Sequence, residues 1–394
     1  MKQFFLSATM LTIMTCAWAQ DEPTGTFEIF GHVMTDAGYN FDQVNPDFSD
    51  VMRPTQLPAY KNQYGSDGNV FYSVRQSMLG MESVTPTPLG DLNILFVMDL
   101  FGVGSNTGQT AFHILYAYAE LGKIGVGHNW SLFCDIGCFP NMIEYWGPVG
   151  LSLCKNVQFR YIPIQGRNQL AVALERPGGT ADEGVYDGRI ELDDAKAKFD
   201  LPDLSAEFRM TRNWGYAELS GLVRQIKWID IGEQPYDVSG KAIGWGVHLS
   251  SNIKLNENNM LIAQGIVGEG IQNYMNDAPT DIGLERSYDD PNHPVDGVVI
   301  PLKSFTLYLN HVWNKKFTSA VGYSAIFIDN TDGQRDDAFR KGQYASANLL
   351  YHPAPRIMGG IELLWIRRDN FRDGWDASAT KIQFSLRYTF NKML

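Results

Sequence analysis

Ile382-Gln383-Phe384-Ser385-Leu386-Arg387-Tyr388-Thr389-Phe390 is the stretch that decides the fold. Apolar side chains hold every second position and polar ones fill the gaps. Successive side chains of an extended chain point to opposite faces, so this run is a strand with one apolar and one wet face. Two architectures use such a strand. One is the edge of a water-soluble sandwich; the other is a transmembrane barrel, whose apolar face meets lipid. The aromatic end at Phe390 suits the last strand of an outer-membrane barrel, although Asn391 to Leu394 run on past it.

The same period recurs outward along the chain. Phe27, Ile29, Gly31 and Val33 alternate with Glu28, Phe30, His32 and Met34. Leu92, Ile94, Phe96 and Met98 form another apolar row, as do Leu204, Ala206, Phe208 and Met210, and again Ala217, Leu219, Gly221 and Val223. Short joins such as Gly122-Lys123, Asn213-Trp214 and Pro353-Ala354-Pro355 alternate with long ones at 40–69, 134–153, 178–202, 273–301 and 329–341. The long joins are rich in Asp, Asn, Pro and Gly, which favour turns and irregular backbone. Short turns on one side and long loops on the other predict an all-β, up-and-down antiparallel transmembrane barrel of roughly sixteen strands. Closure has a physical cause: an open sheet edge in lipid would leave backbone groups unpaired.

The N-terminus points to export. Lys2 precedes an apolar run from Phe4 to Cys16, and Ala17-Trp18-Ala19 fits the small-x-small pattern of a cleavage site. Residues 1–19 therefore read as a signal peptide and 20–394 as one barrel domain. The rival is a lipoprotein signal lipidated at Cys16, with Thr15 where a smaller residue is usual. The chain is 44% apolar and 12% aromatic, with 38 glycines and a net charge of −12. It carries no basic stripe, which gives nucleic-acid binding no support. Cys134, Cys138 and Cys154 follow the leader, and in an oxidising compartment a Cys134–Cys138 staple is one expectation. A zinc site is not expected, since four ligands are not at hand. No cofactor motif is present, and Asp329-Asn330-Thr331-Asp332-Gly333 reads as a turn rather than a calcium loop.

A charge facing lipid near the midplane costs about 2–4 kcal/mol for Arg or Lys, so strand charges should point inward. The alternation places Asp99, Arg160, Glu175, Arg209, Glu218, Arg224, Glu362 and Arg387 on that face. Arg75 joins them, although its strand alternates poorly. Such residues could set a field across a lumen, or they could pair across neighbouring strands and keep it soluble. Trp214, Trp228, Trp313 and Tyr388 are candidates for the aromatic girdles at the membrane interfaces.

Several ordered motifs resemble the DcaP-like porin family. They begin at Val74-Arg75-Gln76-Ser77-Met78-Leu79-Gly80 and continue through Asp99-Leu100-Phe101-Gly102, Ala117-Tyr118 and Gly127-His128-Asn129-Trp130-Ser131-Leu132-Phe133. Gly147-Pro148-Val149-Gly150, Ala173-Leu174-Glu175-Arg176-Pro177, Gly360-Ile361-Glu362 and Tyr388-Thr389-Phe390 follow in order. The resemblance implies a trimeric outer-membrane channel that admits small anionic solutes such as carboxylates. It departs where the family's basic positions appear here as His113, Leu115, Tyr116, Leu364 and Cys154, which weakens the implied anion preference. In trimeric porins one long loop folds into the pore. The candidate here is Cys134 to Leu153, with Asp135, Glu144, Tyr145 and Trp146 as its polar and aromatic contacts and Cys134–Cys138 as a stiffener.

The rival functions are a plugged or surface-binding barrel that works through its extracellular loops, an outer-membrane hydrolase, and a soluble sugar-binding β-protein. A hydrolase needs a nucleophile with a positioned base. His113, His128, His248 and His311 lie near strands, but none sits in a recognisable nucleophile or zinc motif.

Overall fold

Alternation of this kind closes on itself. The computed structural model describes residues 25–187, 192, 194–232, 237–287 and 295–394. The leader 1–19 lies outside them. Sixteen wall strands run in chain order. They are β1 (Thr26–Asn40), β2 (Met78–Thr87), β3 (Gly90–Phe101), β4 (Thr110–Leu121), β5 (Ile124–Trp130), β6 (Lys155–Ile164), β7 (Asn168–Glu175) and β8 (Asp203–Arg212). The second half comprises β9 (Gly215–Asp230), β10 (Gly240–Lys254), β11 (Asn259–Glu269), β12 (Pro301–Asn314), β13 (Phe317–Ile328), β14 (Phe339–Ala354), β15 (Ile357–Asn370) and β16 (Asp376–Met393). Each pairs antiparallel with the next, and β16 returns to β1 with Tyr388 opposite Val33. The barrel is closed.

The deciding stretch behaves as its period requires. Phe384 and Tyr388 are each 51% exposed, whereas Gln383 is fully buried. On β9, Leu219 and Val223 stand outside while Glu218, Ser220 and Arg224 are buried. An exposed apolar band over a buried polar face is the reverse of a soluble protein, and lipid is the solvent that permits it. The tight joins have matching chemistry: Gly122, at φ +61°, opens the two-residue turn between β4 and β5. Trp214, Trp313 and Tyr388 are exposed near the short-turn rim, as a girdle requires. Trp228 instead donates to the Val238 carbonyl beneath a small sheet made by Ala181–Asp182, Ile282–Arg286 and Val295–Val299.

One strand departs from expectation. β1 pairs with Met78 to Val84 over its first half and with a separate short strand, Asn69–Ser73, over its second. The break between them is 74–77, so Arg75 lies off the regular wall. That is why the alternation around it is poor.

Candidate functional site

β5 ends at Trp130, and the chain then leaves the wall until Lys155 begins β6. Leu132 and Phe133 are fully buried, so this departure goes into the protein rather than out to solvent. The bonds of the 131–154 segment reach side chains on the buried face of strand after strand. Asp135 receives Arg209 of β8 at 2.8 Å, Tyr216 of β9 at 2.7 Å and Ser250 of β10 at 2.6 Å. The Gly150 carbonyl accepts from Gln264 of β11 and Ser304 of β12, and the Gly150 N–H donates to Ser324 of β13. Asn348 of β14 donates to the Asn141 carbonyl. The Ile143 N–H donates to Glu362 of β15 at 3.0 Å, and its carbonyl accepts from Gln383 of β16. The Tyr145 hydroxyl donates to Asp99 of β3 at 2.5 Å.

Glu144 holds the middle of the segment. Its carboxylate receives the N–H groups of Met52 and Gly147, and the Lys381 ammonium lies 3.9 Å away with both side chains fully buried. Burial raises the Glu144 carboxyl above its ordinary value, against the pull of Lys381 and the two N–H groups. Asp135 goes the other way. Burial alone would raise it, but Arg209 and the hydroxyls of Ser250 and Tyr216 hold it below the ordinary aspartate value. Tyr145 stacks on Phe101, with ring centres 4.0 Å apart. Trp146 carries the Arg53 guanidinium over its ring and donates to the Asn276 carbonyl.

The wall charges separate into two kinds. Asp99, Glu175, Glu218 and Glu362 are each no more than 2% exposed. Glu175 is bonded by the hydroxyls of Ser131 and Ser205, Glu218 by Arg209, and Glu362 by Asn348. Arg224 is buried between Asp203 and Asp281, and Arg75 pairs with Asp50 and lies over the Phe101 ring. Arg160, Arg209 and Arg387 stay partly exposed. Arg160 bonds neutral groups, the Gln158 side chain and the Trp130 carbonyl, and the Arg387 Nε has no partner among the described residues. A cavity of about 410 Å³ lies against the segment, lined by Tyr145, Trp146 and Phe139 on one side and by His113, Trp130 and Lys155 on the other.

The Cys134–Cys138 staple is not formed; all three described cysteines are free. A one-turn 3-10 segment, Ile136–Cys138, turns the two thiols into different surroundings. Cys134 Sγ meets Ser152 and the Cys154 N–H, whereas Cys138 Sγ meets Tyr216 and Asn252.

Sequence reasoning missed Lys381, although it stands one step before Gln383, Ser385 and Arg387 on the same face. Extending the alternation by two residues would have found it. Met52, Arg53 and Asn276 were missed for another reason. They sit in irregular joins, and their contacts are formed only by tertiary proximity.

The DcaP outer membrane protein family model matches residues 19–390. Among curated proteins none matches the sequence. The fold is similar to the outer membrane channel DcaP of Acinetobacter baumannii, with a TM-score of 0.77 and 21% identity over 93% of this chain and 97% of that one. It is also similar to the anion-selective porin from Comamonas acidovorans (TM-score 0.59, 10% identity, 93% and 100% covered). A third relative in fold is the trimer form of OmpT, an outer membrane protein of Vibrio cholerae (TM-score 0.57, 11% identity, 93% and 100% covered).

Proposed function

The chain belongs to the DcaP outer membrane protein family, and on that premise we propose that it is a passive porin for small hydrophilic anions of the carboxylate type. It is a β-barrel channel protein of the bacterial outer membrane. Our reading adds that 1–19 is removed on export, that 20–394 forms one barrel unit, and that three copies assemble. It also has the 131–154 segment narrowing the lumen, with transport and no catalytic turnover as the activity. Support for the narrowing comes from the bonds that this one segment makes to eleven wall strands, β3 and β7 to β16.

One observation carries the preference for anions. Asp99, Glu175, Glu218 and Glu362 are sealed by hydroxyls, amides or Arg209, while Arg160, Arg209 and Arg387 keep exposed surface. Among these residues the charge left open to a passing solute is guanidinium, and selectivity follows the charges that line the path. In a planar bilayer with a salt gradient, the zero-current potential should have the sign of anion flow. A potential of cationic sign, or none, would overturn the preference and leave a non-selective or loop-acting barrel.

A further inference from the structure

We infer that Cys134 and Cys154 form a disulfide that closes the neck of the 131–154 segment. The neck is already drawn together by backbone, since the Ser131 N–H donates to the Cys154 carbonyl at 2.9 Å. Cys134 Sγ accepts the Cys154 N–H at 3.1 Å. Adding bond lengths to that contact bounds the two α-carbons within about 8 Å, so forming the bond draws them in to the roughly 4.4–6.8 Å a disulfide spans. The Cys154 sulfur lies 3.8 Å from the Lys155 carbonyl, and its side chain must rotate from there to meet the Cys134 sulfur. Cys138 is excluded by its place against Tyr216 and Asn252, on strands β9 and β10.

The compartment supplies the oxidant. A bacterial outer-membrane protein crosses the periplasm, where thiols are oxidised by disulfide-bearing proteins. One cysteine thiolate attacks the oxidant's disulfide and releases the first oxidant thiol. The second cysteine then attacks the mixed disulfide and releases the other. Two chain thiols and one oxidant disulfide give one chain disulfide and two oxidant thiols. Burial raises the Cys134 thiol to about 12, so after folding it is poorly reactive, and the exchange belongs to the stage before the barrel closes.

The test uses the full-length protein purified from outer membranes and alkylated under denaturing conditions without reductant. One thiol, Cys138, should take the label. No Lys or Arg lies between Ile124 and Cys154, so trypsin leaves the three cysteines on one peptide. Cleavage after Glu144 should then give two fragments that stay linked until reduced. The link should survive Cys138→Ser and vanish in Cys134→Ser and in Cys154→Ser. Three labelled thiols, fragments that part without reductant, or a link lost in Cys138→Ser would each overturn the pairing.

Discussion

The Arg209 guanidinium donates to Asp135 across 2.8 Å while its Nε donates to Glu218 at 2.5 Å, so one cation on β8 ties the 131–154 segment to the wall. Both carboxylates are buried, and Arg209 is the charge that offsets them. Removing one partner of such a group leaves the others uncompensated. Arg209→Gln should therefore lower barrel stability by about 1–3 kcal/mol, the usual cost of an unsatisfied buried polar group. Denaturant unfolding followed by heat-modifiable gel mobility measures it. The variant should also show noisier single-channel current, and an unchanged midpoint with a quiet trace would mean that the pair anchors nothing.

Asp135 gives this anchor a pH signature. Its folded carboxyl lies below the ordinary value of 3.8 because Arg209 and two hydroxyls outweigh the effect of burial. A carboxyl more acidic when folded adds stability that is fully present above the unfolded value and is lost as pH falls through the folded one. Channel current should thus stay quiet at neutral pH and become noisy only below about 3.8. Asp135→Asn should abolish that acid step. Persistence of the step in the variant would assign it to another group.

Arg160 and Arg387 test the selectivity. A charge about 4 Å from a passing ion contributes roughly 1 kcal/mol in water, or about fivefold in relative permeability. Arg160→Gln and Arg387→Gln, each removing one charge, should move the zero-current potential toward cations by that order. The shift should shrink at high salt, where screening shortens the reach of the charge.

Outer-face polarity is tested at Val223, which stands 52% exposed in the middle of β9. Val223→Arg should cost roughly 2–4 kcal/mol if lipid covers that face at mid-depth. A neutral outcome would mean that water or protein covers it.

Much of this was legible in the sequence, because a barrel repeats one local rule sixteen times. Each strand reports its own two faces, so Phe384 outside and Gln383 inside follow from neighbours in the chain. Strand charges such as Glu362 and Arg224 could be placed on the inner face for the same reason. What was not legible depends on contacts between distant segments. Glu144 was picked out as a contact residue, but its partners Met52 and Lys381 lie far away in sequence. Cys134 and Cys138 are close in sequence and yet point to different neighbours, because a single tight turn separates them. Spacing says nothing about that direction.

Single-channel recording of detergent-purified, heat-modifiable protein in a planar bilayer tests the central claim of an open pore most directly. A trimeric porin should insert with conductance rising in steps and close in thirds at high voltage. A correctly folded barrel that inserts but passes no current would contradict the pore, and would place the function in the loops outside it.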